Sequence, residues 1–433
     1  MTQKDSFPYE FGGPIGTGLN ILFLPVLILC LTHWSAVGSV DFTTLPWTTN
    51  VDTLAKCIVG LVTWFLFQVL LERLLPCKLV QGTPLQGVFA ARKSISTQEC
   101  LEYRINGHLA FWVTFLVLQT GWIVKHEESG TWQFTSFPLS GLYDVTAELA
   151  LGTSILCFGL SVYLYLTSFI GNKRLAVPGT SGNVVYDFWM GRELNPRIGN
   201  FDWKEFCELR PGLMGWMILN LAYCQKQKEV LGYVSMSMML LQCFQGFYVW
   251  DALYQEEAIL TTMDITTDGF GYMLAFGDLA WVPFTYTLQA RYLVLHDPQL
   301  SITALLAILV LHIVGYVTFR GANGQKDIFR RNPEDPAVAH LTYLKTKRGT
   351  KLLTSGWWGM ARKINYTGDW IMGLTWCMVC GFNSIVPYFY AIYFLILLIH
   401  RSIRDDHACQ EKYGSDWDEY KRKVPYRFIP GLV

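Results

Sequence analysis

The sequence predicts an all-α, polytopic membrane protein with about ten transmembrane helices. Apolar residues make up 52% of the 433-residue chain and charged residues only 16%, whereas soluble domains carry about 25% charged residues. Apolar stretches long enough to cross a bilayer core of about 30 Å recur along the whole chain. Lys plus Arg and Asp plus Glu are equal at 34 each, so no net positive charge indicates a nucleic-acid partner.

The candidate spans are runs of mostly apolar residues between polar loops, at 15–34, 54–75, 109–124, 143–169, 212–223, 232–250, 272–293, 302–319, 370–381 and 385–400. Two of them, 212–223 and 370–381, are short enough to be paired or re-entrant. With the N-terminus in the cytosol, Lys and Arg concentrate in the cytosolic loops 76–108, 170–211 and 320–369 and in the tail. This bias predicts an even number of spans with both termini cytosolic.

The chain divides into two regions. Residues 1–210 hold about four spans with medium loops, and residues 211–433 hold tighter spans and polar, aromatic motifs. No polar stretch is long enough to fold alone, so any chemistry must lie between helices or at the cytosolic face. The scattered cysteines form no disulfide framework. The one CxxC pair, Cys377 and Cys380, lies in an apolar segment without a second pair, so packing is expected there and no metal. Soluble dinucleotide-binding motifs are missing, so helices would have to hold a dinucleotide.

Lys326 and Arg330 lie four residues apart just past a candidate span. On a helix they share one face, and two cations there suit a phosphate. The alternative is an ordinary positively charged flank of a cytosolic loop.

Polar residues also recur with helical spacing in 352–369, where Arg362, Asn365, Tyr366 and Asp369 would share one side of a helix. Trp358 stands beside Gly359, which allows close backbone approach to a flat ligand. An interfacial aromatic belt explains the tryptophan but not the polar stripe.

The tail repeats polar residues at four-residue steps, and a tyrosine follows one heptad later: Arg401, Asp405, Cys409, Tyr413 and Tyr420. If the last helix continues into the cytosol, these residues line one edge. A charged amphipathic surface helix is the alternative.

Ionisable residues inside spans are costly and usually face a cavity, as expected for Glu148, Asp278, Arg291 and His312. Tyr248 and Asp251 lie three residues apart at the cytosolic end of a span, where the carboxylate could orient the phenol.

These motifs together resemble the membrane sterol reductases, a family that includes the Δ14-sterol reductases, the C-terminal region of lamin B receptor and 7-dehydrocholesterol reductase. The matching stretches are 191–202 (GRELNPRIGNFD), 210–213 (RPGL), 257–278, 322–330 (ANGQKDIFR), 353–359 (LTSGWWG) and 424–430 (VPYRFIP). The resemblance extends over nearly the whole chain, and these stretches look most like the fungal Δ14 branch. Lys363 stands where many relatives have His, and Cys77 where many have Gly.

The resemblance implies a ten-span fold in the endoplasmic reticulum membrane, a sterol substrate taken from the bilayer lipid, and an NADPH pocket in the C-terminal half. Carried over motif by motif, it places at the cofactor Lys326, Arg330, Leu353, Trp358, Asn365, Tyr366, Arg401, Asp405, Cys409, Gln410, Glu411, Lys412, Tyr413 and Tyr420.

The implied reaction is NADPH-dependent reduction of the C14=C15 double bond by protonation followed by hydride transfer. The candidate acid is Tyr248 with Asp251, and Asp278 is the competing candidate. Three alternatives stay open: reduction of a Δ7 or C24(28) double bond, an isoprenylcysteine-type membrane methyltransferase that binds S-adenosylmethionine, and a non-catalytic sterol-binding scaffold.

Overall fold

The computed structural model describes residues 8–43, 50–85, 88–89, 100–120, 122–125, 132–135 and 137–432. As predicted, this part of the chain is mostly helical. Its α-helices are Gly13–Val37 (α1), Val51–Leu74 (α2), Gly107–Thr120 (α3), Gly141–Asp144 (α4), Thr146–Thr167 (α5), Val184–Met190 (α6), Trp203–Leu231 (α7), Met236–Tyr254 (α8), Met263–Thr266 (α9), Tyr272–Phe276 (α10), Val282–Thr285 (α11), Leu288–Leu293 (α12), Ile302–Arg331 (α13), Trp357–Met360 (α14), Ile364–Met378 (α15), Phe389–Tyr413 (α16) and Ser415–Lys423 (α17).

Other helical turns and short strands lie in the connections. Residues Val177–Gly179, Glu256–Thr261 and Val386–Tyr388 form 3₁₀ turns, and Gly277–Trp281 is π-helical. The strands are Lys78–Gln81 (β1), Val88–Phe89 (β2), Glu102–Ile105 (β3), Trp122–Lys125 (β4), Trp132–Thr135 (β5), Arg174–Leu175 (β6), Arg197–Ile198 (β7), Phe201–Asp202 (β8), Tyr343–Lys345 (β9) and Lys351–Leu353 (β10). They pair as antiparallel two-stranded ladders, β1 with β3, β2 with β6, β4 with β5, β7 with β8 and β9 with β10.

Five helices among the described residues are long and apolar enough to cross a membrane. They are α1, α2, α5, α13 and the segment Val386–Tyr413, which contains α16. A shorter apolar helix covers Gly107–Gln119. The chain is therefore a membrane protein with several apolar helices, while the number of ten spans and the cytosolic position of both ends remain predictions.

Three predicted span boundaries are wrong. The span at 109–124 ends early, because α3 stops at Thr120 and Trp122–Lys125 pairs with Trp132–Thr135 as a hairpin. Residue 121, within that predicted span, lies outside the described part of the chain. The span at 272–293 is broken into short helical pieces, where Pro283 cannot donate a helical hydrogen bond.

The stretch predicted at 212–223 belongs to the much longer helix α7, which begins at Trp203. Asp202 caps this helix, because its carboxylate accepts hydrogen bonds from the backbone N–H groups of Lys204 at 3.1 Å and Glu205 at 3.0 Å. An N-cap of this kind satisfies donors that a helix end otherwise leaves free. The charged first turns of α7 hid this start from a hydropathy argument.

The chain forms two compact units. The N-terminal unit comprises Met1–Val234 and Gln245–Leu295, and the C-terminal unit comprises Ser235–Phe244 and His296–Val433. In the N-terminal unit, α2 packs on α5, α1 on α12 and α7 on the π-helical segment.

In the C-terminal unit, α13 packs along α15, and α15 along α16. Two glycines allow the first pair to approach closely. A Cβ atom on Gly368 would lie 2.6 Å from the carbonyl oxygen of Gly315, closer than any side chain tolerates. Because neither glycine carries a side chain, α15 lies close against α13 at this crossing. Helix α13 also carries Lys326 and Arg330.

Candidate functional site

A small cavity in the C-terminal unit brings together residues from α13, the β9–β10 hairpin, α14, α16 and α17. Its volume is ≈ 140 Å³. Eight residues predicted at the cofactor line it: Lys326, Arg330, Leu353, Trp358, Asp405, Cys409, Tyr413 and Tyr420. Parts of the three segments singled out in the sequence thus meet at one place. The first contributes both of its cations and the tail four residues, whereas of the polar stripe Arg362, Asn365, Tyr366 and Asp369 only Arg362 lines the cavity.

The cavity lining is strongly basic. It contains five cationic side chains and a single carboxylate, that of Asp405, the cations being Lys326, Arg330, Lys351, Arg362 and Lys363. An excess of positive charge around an enclosed space favours an anionic ligand. A cavity of this size accommodates a phosphate-sized group, and a larger ligand must extend beyond it.

Lys326 and Arg330 lie on one face of α13, as predicted. The Lys326 ammonium lies 4.3 Å from the centroid of the Trp358 ring, and the Trp358 indole N–H donates to the Ala322 carbonyl at 2.8 Å. That bond holds the ring under the cation. Arg330 is exposed and forms no ion pair within the described chain, whereas the adjacent Arg331 pairs with Asp327 at 3.1 Å.

Arg362 does not share a helical face with Asn365 and Tyr366 as predicted, because α15 begins only at Ile364. Its guanidinium instead donates to the carbonyl oxygens of Val424 at 2.6 Å and Pro425 at 2.7 Å. These bonds fasten the tail segment 424–428 beside the cavity, so Arg362 is engaged by the chain itself.

Lys363 forms an ion pair with Asp405 across the cavity wall. Its ammonium also lies 5.4 Å from the centroid of the Tyr366 ring. The pair neutralises the one carboxylate of the lining, and the remaining cations set the charge that a ligand meets.

Asn365 presents an unsatisfied acceptor. Its amide nitrogen donates to the Asn323 side-chain oxygen at 3.2 Å, while its own Oδ1 is enclosed and has no hydrogen-bond partner among the described residues. A buried acceptor without a partner is costly, and a ligand N–H would satisfy it. Neither Asn365 nor Tyr366 lines the small cavity itself.

The tail does not continue as one helix. Helix α16 ends at Tyr413, and Gly414 turns the chain with a φ of 54° before α17 begins. Tyr420 therefore reaches the cavity from a separate helix, which the heptad argument did not foresee. Burial raises the pKa of Tyr420 to about 12, so the phenol stays neutral at physiological pH.

The remaining tail residues predicted at the cofactor do not line the cavity. Gln410 joins the two tail helices, because its oxygen accepts from the Lys421 ammonium at 2.9 Å and its nitrogen donates to the Asp418 carboxylate at 3.3 Å. Glu411 and Lys412 are exposed, and Arg401 is half-buried on α16.

Sequence reasoning missed some of the lining: Phe329, Lys351, Leu352 and Trp417, besides Lys363, which was noted only for its departure from the family. Lys351 reaches the cavity on β10, and its ammonium lies 4.7 Å from the Tyr343 ring centroid on β9. Helical spacing cannot reveal a residue contributed by a hairpin. The density of Lys and Arg in 345–363 was the available signal.

The three candidate acids lie in the N-terminal unit. Tyr248 and Asp251 are one turn apart on α8, as predicted, with Tyr248 half-buried and Asp251 buried. Asp278 lies in the π-helical segment, a feature often found at functional sites. Its Oδ2 is enclosed and has no hydrogen-bond partner within the described residues.

Arg291 has a structural role. Its guanidinium donates to the carbonyl oxygens of Thr32 at 2.8 Å and Tyr143 at 3.0 Å and to the hydroxyl of Thr146 at 2.7 Å. It thereby joins α1, α4, α5 and α12.

His312 is buried, and its Nδ1 lies 2.8 Å from the Thr375 hydroxyl oxygen. That hydroxyl donates its own proton to the Met372 carbonyl at 2.6 Å. His312 therefore links α13 to α15 through this contact.

A sequence model described as the Ergosterol biosynthesis ERG4/ERG24 family matches residues 5–433. The chain is 44% identical to Delta(14)-sterol reductase erg24 of Schizosaccharomyces pombe, over 99% of this chain and 98% of that protein. It is 43% identical to Delta(14)-sterol reductase TM7SF2 of Mus musculus, over 99% of both chains. It is 45% identical to Delta(14)-sterol reductase LBR of Gallus gallus, over 97% of this chain but 63% of that protein.

Proposed function

The chain belongs to the Ergosterol biosynthesis ERG4/ERG24 family, and on that premise we propose that it is a sterol reductase that uses NADPH to reduce the C14=C15 double bond of a sterol intermediate. The three relatives named above are each called a Delta(14)-sterol reductase, which supports the reaction. The basic lining of the cavity in the C-terminal unit supports NADPH as the cofactor. We place the enzyme in the endoplasmic reticulum membrane with both termini cytosolic.

The residues of the cavity fit a phosphorylated dinucleotide. Lys326 and Arg330 are the side chains for the 2′-phosphate, because Arg330 lies on the same helical face as Lys326 and has no ion pair of its own within the described chain. Asn365 offers its unsatisfied oxygen to a donor such as a carboxamide. When bound, NADPH supplies a hydride. The cavity holds only a phosphate-sized part of it, so the rest must lie outside the 140 Å³ described above.

The chain must also supply an acid. A carbon–carbon double bond in a sterol ring is not electrophilic enough to accept hydride until it is protonated. Protonation at C15 leaves a tertiary cation at C14, which is stabilised further if C8=C9 is conjugated to it. A positioned acid contributes about 10²–10⁴-fold to such a step. Tyr248 is our candidate, with Asp251 one turn away on α8 to orient the phenol, and Asp278 is the competing candidate.

The test is substrate conversion in microsomes that express this chain, fed in parallel with an 8,14-diene sterol and a 5,7-diene sterol. We expect loss of the 14-double bond with NADPH and no change in the 5,7-diene. Arg330→Ala combined with Asn365→Ala should abolish conversion, and Arg331→Ala, altered on the outer face of the same helix, should not.

Conversion of the 5,7-diene alone would indicate that the enzyme reduces the Δ7 double bond instead. Binding of S-adenosylmethionine instead of NADPH to the purified protein would favour a methyltransferase. Conversion of neither sterol, with intact sterol binding, would favour a scaffold or reduction of a C24(28) double bond.

A further inference from the structure

A second and larger cavity lies in the N-terminal unit, between α2, α3, α5, α7 and α11. Its volume is ≈ 830 Å³, and it shares no residue with the basic cavity. Ligand pockets for small organic molecules measure about 300–1,000 Å³. The cavity is therefore large enough for one such molecule.

The middle of this cavity offers a ligand almost no hydrogen bonds. The Thr63 hydroxyl donates to the Val59 carbonyl at 2.8 Å, and the Thr153 hydroxyl donates to the Leu149 carbonyl at 2.8 Å. Each hydroxyl is thus used within its own helix, and the walls present methyl, aliphatic and aromatic groups. A cavity without free polar groups does not hold water well, so its middle suits the apolar part of a ligand.

The cavity is long, and the only charged side chain among its described lining residues, that of Lys56, lies at one end. Its lining follows α2 from Thr53 to Phe67, about 21 Å at 1.5 Å per residue. Thr53 and Lys56 stand at the N-terminal end of this path. Lys56 is paired with Asp52 at 2.6 Å, so this end carries no net charge. The shape suits an elongated apolar molecule with one neutral polar tip.

We propose that this cavity binds a sterol, with its hydroxyl toward Thr53 and its fused rings along α2. A phospholipid would bring a charged headgroup to an end where the one lysine is already neutralised. Flat aromatic walls, including Trp64, Phe65 and Trp203, match a rigid ring system, which loses less conformational entropy on binding than a flexible acyl chain. The choice of a sterol as the ligand rests on the proposed function.

Gly60 gives a direct way to fill the cavity. It lines the space, and a Cβ atom built on it meets no other heavy atom within 4 Å. Gly60→Trp therefore has room for its ring, and replacing a glycine inside a helix favours the helix. Gly159 on α5 is the matched control, because it is also a helical glycine with no heavy atom within 4 Å but does not line the cavity.

The experiment is photolabelling of the purified full-length protein with a diazirine-bearing sterol, read by mass spectrometry of the α2 and α5 peptides. We expect labelling of these peptides that unlabelled sterol competes away. Gly60→Trp should weaken the competing affinity at least about tenfold, equal to about 1.4 kcal/mol, and Gly60→Leu should weaken it less. Gly159→Trp should match the parent.

Labelling unaffected by Gly60→Trp would overturn the proposal. So would labelling of the same peptides by a photoreactive fatty acid that unlabelled sterol cannot displace. The proposed function fails separately: if no sterol is reduced but labelling still depends on Gly60, the cavity binds sterol in a protein that is not a reductase of the tested substrates.

Discussion

Replacing Arg210 should destabilise the protein far more than replacing an exposed cation. Arg210 is fully buried, and its guanidinium donates to the Glu256 carboxylate at 2.9 Å and to the Arg104 carbonyl at 3.0 Å. Arg210→Ala leaves Glu256, itself 2% exposed, as an uncompensated buried charge, which costs about 3–5 kcal/mol. The shift in melting temperature is this free energy divided by the unfolding entropy, which is about 2.1 cal/mol/K per residue. For this chain the melting temperature should fall by roughly 3–6 °C.

The assay is thermal unfolding of the purified protein in detergent, with Lys56→Ala as the matched control. Lys56 pairs with Asp52, and both side chains are more than two-thirds exposed, at 75% and 71%. Exposed pairs contribute about 0–1 kcal/mol, so the control should melt within about 1 °C of the parent. The double change Arg210→Met with Glu256→Gln should recover part of the loss, because no unpaired charge remains. Equal melting temperatures for Arg210→Ala and Lys56→Ala would refute this reasoning.

Three further outcomes follow from the described contacts. Burial raises the pKa of the Glu205 carboxyl above its usual value of 4.5. Because the folded state then binds more protons than the unfolded state, stability should fall as the pH rises above this value, and Glu205→Gln should flatten that slope in melting curves. A parallel slope in the variant would contradict this. Gly368→Val should separate α15 from α13, because the Cβ atom of the new side chain has no room against Gly315. Limited proteolysis should then cut the C-terminal unit faster than in the parent, and an unchanged digestion pattern would contradict this prediction. Tyr248→Phe should abolish sterol reduction while NADPH affinity measured by titration stays the same; full turnover would remove Tyr248 from the chemistry.

Helical patterns were the most predictable part of this molecule. Four-residue spacing predicted two helical faces, one with Lys326 and Arg330 and one with Asp405, Cys409 and Tyr413. The structure brings both faces to one cavity. Local periodicity was sufficient there, because each helix is continuous over the residues concerned.

Features that depend on chain reversals could not be predicted in this way. Gly414 turns the tail, so Tyr420 enters from a second helix, and Lys351 arrives on a hairpin whose pairing no helical period encodes. Arg362 was predicted on the polar face of a helix, but it precedes the start of α15. Its guanidinium donates instead to carbonyl oxygens of the tail segment. The length of α7 was missed for a different reason: buried charges such as Arg210 lower its hydropathy although their partners satisfy them.

The most direct test of the central proposal is the affinity of the purified protein for NADPH and NADH in Arg330→Ala beside Arg331→Ala. A hydrogen bond to a charged group contributes about 1.5–3 kcal/mol, so Arg330→Ala should weaken NADPH binding by about 10–150-fold and leave NADH binding nearly unchanged. Arg331→Ala, whose side chain pairs with Asp327 on the exposed face of α13, should bind both like the parent. An NADPH affinity that Arg330→Ala does not change would contradict the assignment of this cavity to a phosphorylated nicotinamide cofactor.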